Sequence, residues 1–297
     1  MKDSSKAYIA LGLVSILWGS TYIAAKVGAQ HMPGLFLSGV RQFTSGLILV
    51  GFFFAKGCRL PDAGSLKHIS IQGILLLCVA NGLLTWSLEY ISGGLAAIIA
   101  ALIPLFIALF SILLLKYAKF TRWMIAGLVI GFSGVVVIFY DYLHFLSDKS
   151  FSFGVMLALV STITWAFGTV YTSRKALPVD ILYNVGLQML IAGIVTLLVC
   201  LVSGKYINLA TAGSASIFSL LYLVLFGSLI AYSAYVFAIS KLPPTLVSIY
   251  AYINPVVAVG LGWLLLSERL NLNMVIGTLI TLGGVYVVNR EFKKQKA

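Results

Sequence analysis

The chain has 297 residues, of which 61% are hydrophobic and only 9% are charged. A soluble domain carries about 25% charged residues, so a chain this poor in charge cannot cover a surface that faces water. The composition excludes a water-soluble enzyme, a disordered chain and a nucleic-acid-binding protein. The formal net charge of +12 then indicates basic loops gathered on one side of a lipid bilayer, which is the partner we expect.

Asp, Glu, Lys and Arg divide the chain into apolar runs of about 20 residues, the length that crosses a bilayer as a helix. We therefore predict an all-α integral membrane protein with ten transmembrane helices. The predicted spans are 7–27, 34–55, 68–89, 94–115, 122–140, 153–172, 182–202, 217–240, 245–267 and 273–290. The remaining loops are too short for a soluble domain, and we expect the first span to be an uncleaved helix rather than a signal peptide.

The distribution of basic residues predicts the orientation of these spans. With the N-terminus inside, fifteen Lys and Arg residues fall in the inner segments and four in the outer segments, while Arg41 lies within a helix. Cytoplasmic loops are enriched in Lys and Arg, so both termini are predicted to be cytoplasmic. An even number of spans agrees with two termini on one side.

The second half of the chain weakly repeats the first. Residues 95–104, LAAIIAALIP, align with residues 246–255, LVSIYAYINP, at a spacing of 151. Trp18 aligns with Trp165 at a spacing of 147, so the register is nearly constant. Chance alignment of apolar helices is the alternative, and the collinear order of the matches argues against it.

Two repeats of five helices each are therefore predicted, one over residues 7–140 and the other over residues 153–290. Because five is odd, the second repeat must enter the membrane from the opposite side. Inverted repeats of this kind are the architecture of many secondary transporters, whose substrate lies between the halves near the midplane.

The sequence carries no motif for catalysis or metal binding. It lacks a G-x-x-x-x-G-K-[ST] phosphate loop and an H-E-x-x-H motif, so ATP-driven transport and zinc hydrolysis have no support. The cysteines Cys58, Cys78 and Cys200 are too widely spaced for a disulfide framework. We expect no catalytic residue, no metal, no cofactor and no enzymatic activity.

Arg41 is the clearest polar anomaly, because it lies about two turns inside the second predicted helix. A charge at that depth is costly and is usually functional, with a partner. Glu89, at the end of the third helix, is the best candidate partner, and Gln188 is the repeat counterpart of Arg41. These residues either bind substrate or control a proton or gate, or they form a structural ion pair, or Arg41 extends to the interface.

Aromatic and polar side chains recur on the helices expected around the centre. Trp18 and Tyr22 share one face of the first helix, since they are four residues apart. The other candidate binding residues are Asn81 on the third helix, Trp165 on the sixth, Tyr232 and Tyr235 on the eighth, and Tyr250 and Asn254 on the ninth. They either line a solute pathway or pack as aromatic core and interfacial anchors.

Pro104 and Pro255 occupy equivalent places in the two halves. Each removes a backbone donor and frees the carbonyl four residues earlier, at Ala100 and Ala251. Such carbonyls are tolerated at membrane depth where protein or cavity water meets them. We predict that both prolines kink helices that line a central cavity; a kink that only improves packing is the alternative.

Small residues mark the fifth and tenth helices as close-packing elements. The fifth contains Gly127-x-x-x-Gly131 and the tenth contains Gly277-x-x-x-Thr281. Small residues four apart let helices approach closely. We expect both helices at the periphery, where they serve as scaffold or homodimer contact, or pack within the chain.

An ordered set of motifs along the chain resembles the drug/metabolite transporter superfamily of the EamA type. The motifs are LWGSTY at 17–22, GVRQF at 39–43, ISGGLAA at 91–97, STITWAFG at 161–168, SIYAYINP at 248–255 and SER at 267–269. The resemblance covers residues 7–290 and is strongest to the YedA-like branch of inner-membrane transporters.

The resemblance implies ten helices in two EamA repeats, with helices 1–4 and 6–9 around the pathway and helices 5 and 10 outside it. It implies a place in the inner (plasma) membrane and export of amino acids, other small metabolites or drugs. One departure is that Ser267-Glu268 fits a family turn whose first-half counterpart here is Lys116-Tyr117. This puts a symmetric role for that acid in doubt.

The sequence therefore predicts a secondary transporter that exports a small, partly apolar solute by alternating access. Uptake or exchange of a sugar-like or nucleotide-linked solute is the second possibility. A nucleotide sugar would require more than one midplane cation, and the sequence places only Arg41 at depth. A membrane scaffold without transport is the rival from another class.

Overall fold

The structure, a computed structural model, describes residues 2–115, 121–140, 145, 147–174, 176–248, 250–267 and 272–294. Within these ranges the regular elements are helical. Counting an interrupted helix once, they are α1 (Lys2–Ala29), α2 (Gly34–Ala55), α3 (Ala63–Ser87), α4 (Gly93–Ala100 with Ile103–Leu115), α5 (Arg122–Tyr140), α6 (Lys149–Ser173), α7 (Ile181–Val202), α8 (Ser214–Lys241), α9 (Pro244–Val247 with Tyr250–Leu266) and α10 (Leu272–Lys294).

Seven of the described helices are long and apolar enough to cross a membrane: α1, α2, α3, α4, α6, α7 and α8. The described apolar parts of α5, α9 and α10 are shorter, at 10–17 residues. Many large apolar side chains point outward, among them Ile9, Trp123 and Leu279. Such a surface is unsuited to water and is the one that lipid covers. The prediction of an all-α membrane protein is confirmed, while the count of ten spans stays a prediction.

Three aspartates cap the N-terminal ends of helices. Asp62, Asp148 and Asp180 each precede a helix and accept hydrogen bonds from its first backbone N–H groups, at 2.7–3.4 Å. A carboxylate in that place satisfies donors that have no partner in the helix and interacts favourably with the helix dipole.

α3 and α8 share an irregularity that the sequence analysis did not anticipate. Each contains an eight-residue π-helical segment, Ile74–Asn81 in α3 and Leu223–Ile230 in α8. The segments begin 149 residues apart, close to the spacing of the repeated motifs. π-Helical turns are rare and occur frequently at functional sites. The two halves therefore repeat a backbone feature where their sequences have diverged.

The two predicted proline sites differ in detail. α4 is interrupted at Ala101–Leu102, and Pro104 is the second residue of the resumed helix. Pro255 lies inside the Tyr250–Leu266 part of α9, and the interruption there falls earlier, after Val247. Both helices are thus interrupted on the N-terminal side of the proline; in α4 the break adjoins Ala100, whose carbonyl loses its donor at Pro104, whereas in α9 it precedes Ala251.

α2 and α7 cross through reciprocal glycine contacts. A Cβ placed on Gly46 would overlap the backbone of Leu190, and one placed on Gly193 would overlap the backbone of Phe43. Phe43 and Leu190, like Gly46 and Gly193, are 147 residues apart. The repeat relation therefore converts one contact into the other. The order of the two contacts along the chain shows that α2 and α7 run antiparallel. A two-fold relation between inverted halves produces this pattern.

α5 and α10 repeat this arrangement away from the centre. A Cβ on Gly127 would lie 2.7 Å from the carbonyl oxygen of Gly284, and one on Gly134 would lie 2.5 Å from that of Gly277. These positions are 150 residues apart, so the contacts are again reciprocal. The small-residue stripe thus packs within the chain, and a homodimer would need another surface.

Candidate functional site

A central cavity lies between the two halves of the chain. It contains about 710 Å³ of atom-free space, counting its open mouth, and its walls come from α1–α4, α6, α8 and α9. Eight of the predicted binding residues line it: Trp18, Tyr22, Arg41, Asn81, Trp165, Tyr232, Tyr250 and Asn254. None of the described residues of α5 or α10 is in the lining. The repeat relation therefore brings distant parts of the sequence to one site.

Aromatic rings form one wall of the cavity. Trp18 and Trp165 meet edge to face, with ring centroids 5.2 Å apart. Tyr250 packs against Trp18 at 5.0 Å, and Tyr232 packs against Trp165 at 6.4 Å. Edge-to-face geometry suits the ring quadrupoles. The wall is apolar in area and carries indole N–H and phenol groups at its margins.

Tyr235 lies behind this wall rather than in it. Its ring contacts Trp18 at 5.0 Å and Trp165 at 5.4 Å, and its hydroxyl shares a 2.5 Å hydrogen bond with Thr169. It is fully buried and does not line the cavity. The prediction that Tyr235 binds substrate is not supported, because its ring supports the two tryptophans from behind.

Arg41 lies at the cavity and is only 5% exposed. Its Nε donates to Ser228 Oγ at 2.7 Å. Its guanidinium lies against Gly227, where an added Cβ would stand 2.8 Å from Nη2. Gly227 and Ser228 belong to the π-helical segment of α8. The cation of the first half therefore contacts the irregular backbone of the second half.

Glu89, the candidate partner of Arg41, is bound elsewhere in the structure. Glu89 follows the end of α3, and its Oε1 accepts the backbone N–H of Gly34 at 2.5 Å. Gly34 is the first residue of α2, where the helix dipole favours a carboxylate. Arg41 is seven residues further along α2, about 10 Å away along the axis. The carboxylate is therefore held by a helix N-terminus, outside the cavity.

Gln188 also departs from its predicted place. It is completely buried in a network behind the cavity, where its Nε2 donates to Gln72 Oε1 and Asn184 Oδ1, both at 2.9 Å. Its Oε1 accepts from the Tyr232 hydroxyl at 2.5 Å. Gln188 thus orients the cavity residue Tyr232 without reaching the cavity itself. The repeat counterpart of Arg41 is neutral and fully engaged.

Asn81 and Asn254 line the cavity and also connect helices. Asn81 Oδ1 accepts from Ser38 Oγ at 3.1 Å and from Gln42 Nε2 at 3.3 Å. With the amide oriented to suit its neighbours, Asn254 donates to the carbonyls of Tyr250 at 3.1 Å and Ser15 at 2.9 Å. The two amides hold α3 against α2 and α9 against α1, which fixes the cavity walls.

Gln42 Oε1 in the cavity wall has no hydrogen-bond partner within the described residues, while Trp165 Nε1 and the Tyr250 hydroxyl lie near each other but form no bond of good geometry there. The parent residues Gln42, Trp165 and Tyr250 are 1%, 8% and 2% exposed. Buried polar groups are nearly always hydrogen-bonded, so such a cluster calls for an explanation. Trp18 differs from its counterpart, because its Nε1 donates to Gly227 O at 3.1 Å.

The sequence analysis missed several polar residues of the site: Gln42, Thr85, Ser161, Thr162 and Ser228. Gln42 follows Arg41 and could have been found from its depth in the same helix. Ser161 donates to Ala80 O, in the π-helical segment of α3, at 2.7 Å. Ser and Thr commonly bond to their own helix, so sequence gives no signal for those that face a cavity.

A second space, the vestibule, adjoins the cavity at Leu88. It contains about 1140 Å³ of atom-free space, counting open solvent, and is lined by Lys26, Ala29–Pro33, Leu88–Tyr90 and Lys205. Lys26 Nζ donates to the carbonyls of Leu88 at 2.6 Å and Ile91 at 2.9 Å, which connects α1 to the end of α3. Lys205 Nζ lies 4.0 Å from the Trp86 ring centroid. Lys26 therefore stands at the boundary between the vestibule and the cavity.

Across the described ranges, no group of three or more His, Cys, Asp or Glu side chains could hold a metal ion. Lys116, Tyr117, Glu268 and Arg269, which bear on the departure from the family turn, lie outside the described residues.

Comparison with known proteins agrees with this architecture. Residues 5–140 and 152–290 each match the EamA-like transporter family. The chain is 36% identical over 263 residues to YedA of Escherichia coli K12, an uncharacterized inner membrane transporter, covering 88% of this chain and 83% of YedA. It is 26% identical to the uncharacterized transporter YoaV of Bacillus subtilis 168, covering 97% and 99%. A crystal structure with 18% identity has the same fold, with a TM-score of 0.68 over 97% of both chains.

The fold and the cavity define a polytopic membrane protein with repeated halves around a central, partly open site. The chain belongs to the EamA-like transporter family and is a membrane transporter. The resemblance seen in the sequence motifs, including the likeness to YedA, is thereby confirmed. Its long apolar helices and this likeness identify a multi-pass protein of the inner membrane.

Proposed function

We propose that this protein is a secondary transporter that moves a small molecule by alternating access between two inverted halves. The observation that carries the proposal is the position of the cavity. Its aromatic wall is built where the repeat counterparts Trp18 and Trp165 touch. A site between two repeated halves opens to one side of the membrane or the other when the halves exchange their conformations.

The topology that goes with this function is ten spans in two repeats, 7–140 and 153–290, with both termini cytoplasmic. Two groupings of residues support it. The vestibule gathers segments 29–33 and 88–90 with Lys205, all of which the basic-residue count assigns to the outer side. At the other end, His68 Nδ1 and the Tyr171 hydroxyl, 2.5 Å apart, join two helix ends assigned to the inner side.

The conformation described here corresponds to access from the outer side. The cavity shares Leu88 with the vestibule. Toward the inner end, the Thr169–Tyr235 and His68–Tyr171 hydrogen bonds connect α6 to α8 and to α3. In the opposite state, the repeat counterparts of the present outer lining would become the inner lining.

Export of amino acids, related metabolites or drugs is the activity we infer. The walls are neutral and aromatic apart from Arg41, which suits a small, partly apolar solute. Import or exchange of a sugar-like or nucleotide-linked solute fits less well, because a pyrophosphate group would meet a single cation. Proton coupling through Glu89 has no support from its position, since that carboxylate is engaged at α2 and lies outside the cavity.

Counterflow in proteoliposomes tests the proposal. Vesicles containing purified protein are loaded with a high concentration of one solute class at a time: amino acids, aromatic carboxylates, sugars or nucleosides. A trace of the same labelled solute is then added outside. We expect protein-dependent accumulation with one class. A scaffold without transport gives no accumulation with any class while the protein remains folded, and that result would contradict the proposal.

A further inference from the structure

We propose that the solute is a monoanion, a carboxylate attached by a short spacer to an aromatic or apolar body, with its charge at Arg41. This inference rests on the proposed function and specifies its substrate class. It follows from the charge of the cavity wall, from its available donors and from the place where the cation meets the rings.

The charge of the cavity requires an anion. Arg41 is the one charged side chain among the described lining residues, and it is 5% exposed. Its hydrogen bond goes to the neutral hydroxyl of Ser228, and Glu89 is engaged elsewhere. Burial of a cation without a counter-ion is strongly unfavourable. A bound anion supplies the missing charge while the cavity is occupied.

The available polar groups fit the same solute. Trp165 Nε1 and the Tyr250 hydroxyl lie near each other without a hydrogen bond of good geometry, so both can donate to a solute, and the guanidinium adds further donors. A carboxylate accepts about four hydrogen bonds, so it matches a wall rich in donors. Gln42 Oε1 and the Tyr250 hydroxyl oxygen are the acceptors of this set. A cationic ammonium group could bond to them, but it would be repelled by the buried positive charge of Arg41.

Gly227 fixes the distance between the charge and the rings. The Arg41 guanidinium lies against Gly227, and Trp18 Nε1 donates to the Gly227 carbonyl at 3.1 Å. The cation and the aromatic wall therefore meet at one residue. A solute that uses both must hold its carboxylate within a few bonds of its aromatic or apolar part.

The second half offers no equivalent anion site. Gln188, the repeat counterpart of Arg41, is neutral and already bonded to Gln72, Asn184 and Tyr232. One cation in one half favours a single negative charge over a dianion or a diphosphate. The order of affinity should be monoanion first, then zwitterion, then neutral solute, with a cation weakest.

Four compounds with the same aromatic body test this order: 3-phenylpropionate, phenylalanine, 3-phenylpropanamide and phenethylamine. Binding to the purified full-length protein is followed by tryptophan fluorescence and by the shift of the melting temperature. We expect 3-phenylpropionate to bind about 10- to 100-fold more tightly than the amide, the range for one charged hydrogen-bonded pair. Arg41→Gln should abolish that difference, and Lys56→Gln, at an exposed site, should leave it unchanged.

The wild-type ranking decides the matter even if Arg41→Gln does not fold. Ser228→Ala, which keeps the cation and removes its hydrogen bond, provides a second variant, and it should retain the preference for the anion. Equal or tighter binding of the amide or the amine, or no binding of the anion at millimolar concentration, would overturn the inference. Counterflow of a neutral or cationic solute alone would overturn it and leave transport standing. Tight anion binding without flux of any solute would contradict transport and leave the anion site standing.

Discussion

Trp18 and Trp165 occupy equivalent positions in the two halves of the chain and meet edge to face in the cavity wall, 5.2 Å between ring centroids. Their indole groups are nevertheless used differently. Trp18 Nε1 donates to Gly227 O at 3.1 Å, whereas Trp165 Nε1 makes no such bond to a backbone carbonyl and lies beside the Tyr250 hydroxyl. The architecture is two-fold, and the chemistry of the site is not.

This asymmetry predicts different costs for the same substitution. Trp18→Phe leaves the buried Gly227 carbonyl without its donor, which should lower the free energy of unfolding by about 1–3 kcal/mol. Trp165→Phe removes no such bond and should be less destabilising, while weakening solute binding. Denaturant or thermal unfolding of the two variants in one detergent measures the difference. A larger loss for Trp165→Phe would show that our assignment of the two indoles is wrong.

The α2–α7 crossing predicts a pair of matching glycine effects. Gly46→Ala and Gly193→Ala each place a Cβ against the backbone of the opposite helix. Overpacking of this kind should cost about 1–3 kcal/mol in each variant, by similar amounts because the contacts are reciprocal. Gly51→Ala is the control, because Gly51 lies in α2 with nothing within 4 Å of an added Cβ. Equal stability of all three variants would contradict the close crossing.

Two adjacent glycines in α10 provide a sharper comparison. A Cβ on Gly284 would overlap the backbone of Gly131 in α5, whereas one on Gly283 would meet nothing within 4 Å. Gly284→Ala should therefore lower the melting temperature. Gly283→Ala should leave it unchanged or raise it, since Ala favours the helix by up to about 1 kcal/mol. The reverse order would mean that α10 is rotated relative to this packing.

Lys26 predicts an effect on access to the cavity. Its ammonium joins α1 to the carbonyls of Leu88 and Ile91 at the boundary of the vestibule. Lys26→Met removes those hydrogen bonds and keeps the apolar stem, so outer access should become faster. A thiol reagent added outside should label Thr85→Cys several-fold faster in the Lys26→Met background. The exposed Lys56→Met provides the control, and no change in rate with Lys26→Met would count against a boundary role.

The sequence was sufficient for the all-α membrane fold and for eight of the described lining residues. Charge-free runs, repeated motifs and aromatic spacing depend on local pattern, which is readable without contacts. Glu89, Gln188 and Tyr235 were predicted to bind substrate and lie outside the described cavity lining, because their placement depends on which group each side chain contacts. Glu89 accepts a hydrogen bond at a helix N-terminus, Gln188 joins an amide network and Tyr235 bonds to a threonine. Each of these partners comes from a distant part of the chain.

The π-helical segments could not be predicted for a related reason. Nothing in the apolar residues of 74–81 or 223–230 distinguishes a π turn from an α turn. Their effect is nonetheless central, because Gly227 receives both Arg41 and Trp18, and Ala80 receives Ser161. These carbonyls become acceptors for other helices where the regular hydrogen-bond pattern changes.

Labelling from both sides of the membrane tests alternating access most directly. Thr85 lines the cavity near the vestibule, and Ala234 is its repeat counterpart at a spacing of 149. Each is replaced by Cys, one at a time, after Cys58, Cys78 and Cys200 have been replaced by Ala. An impermeant thiol reagent should reach Thr85→Cys only from outside and Ala234→Cys only from inside. Any solute that raises one rate should lower the other. Labelling of both positions from the same side, or rates that change independently, would contradict transport by exchange of the two halves.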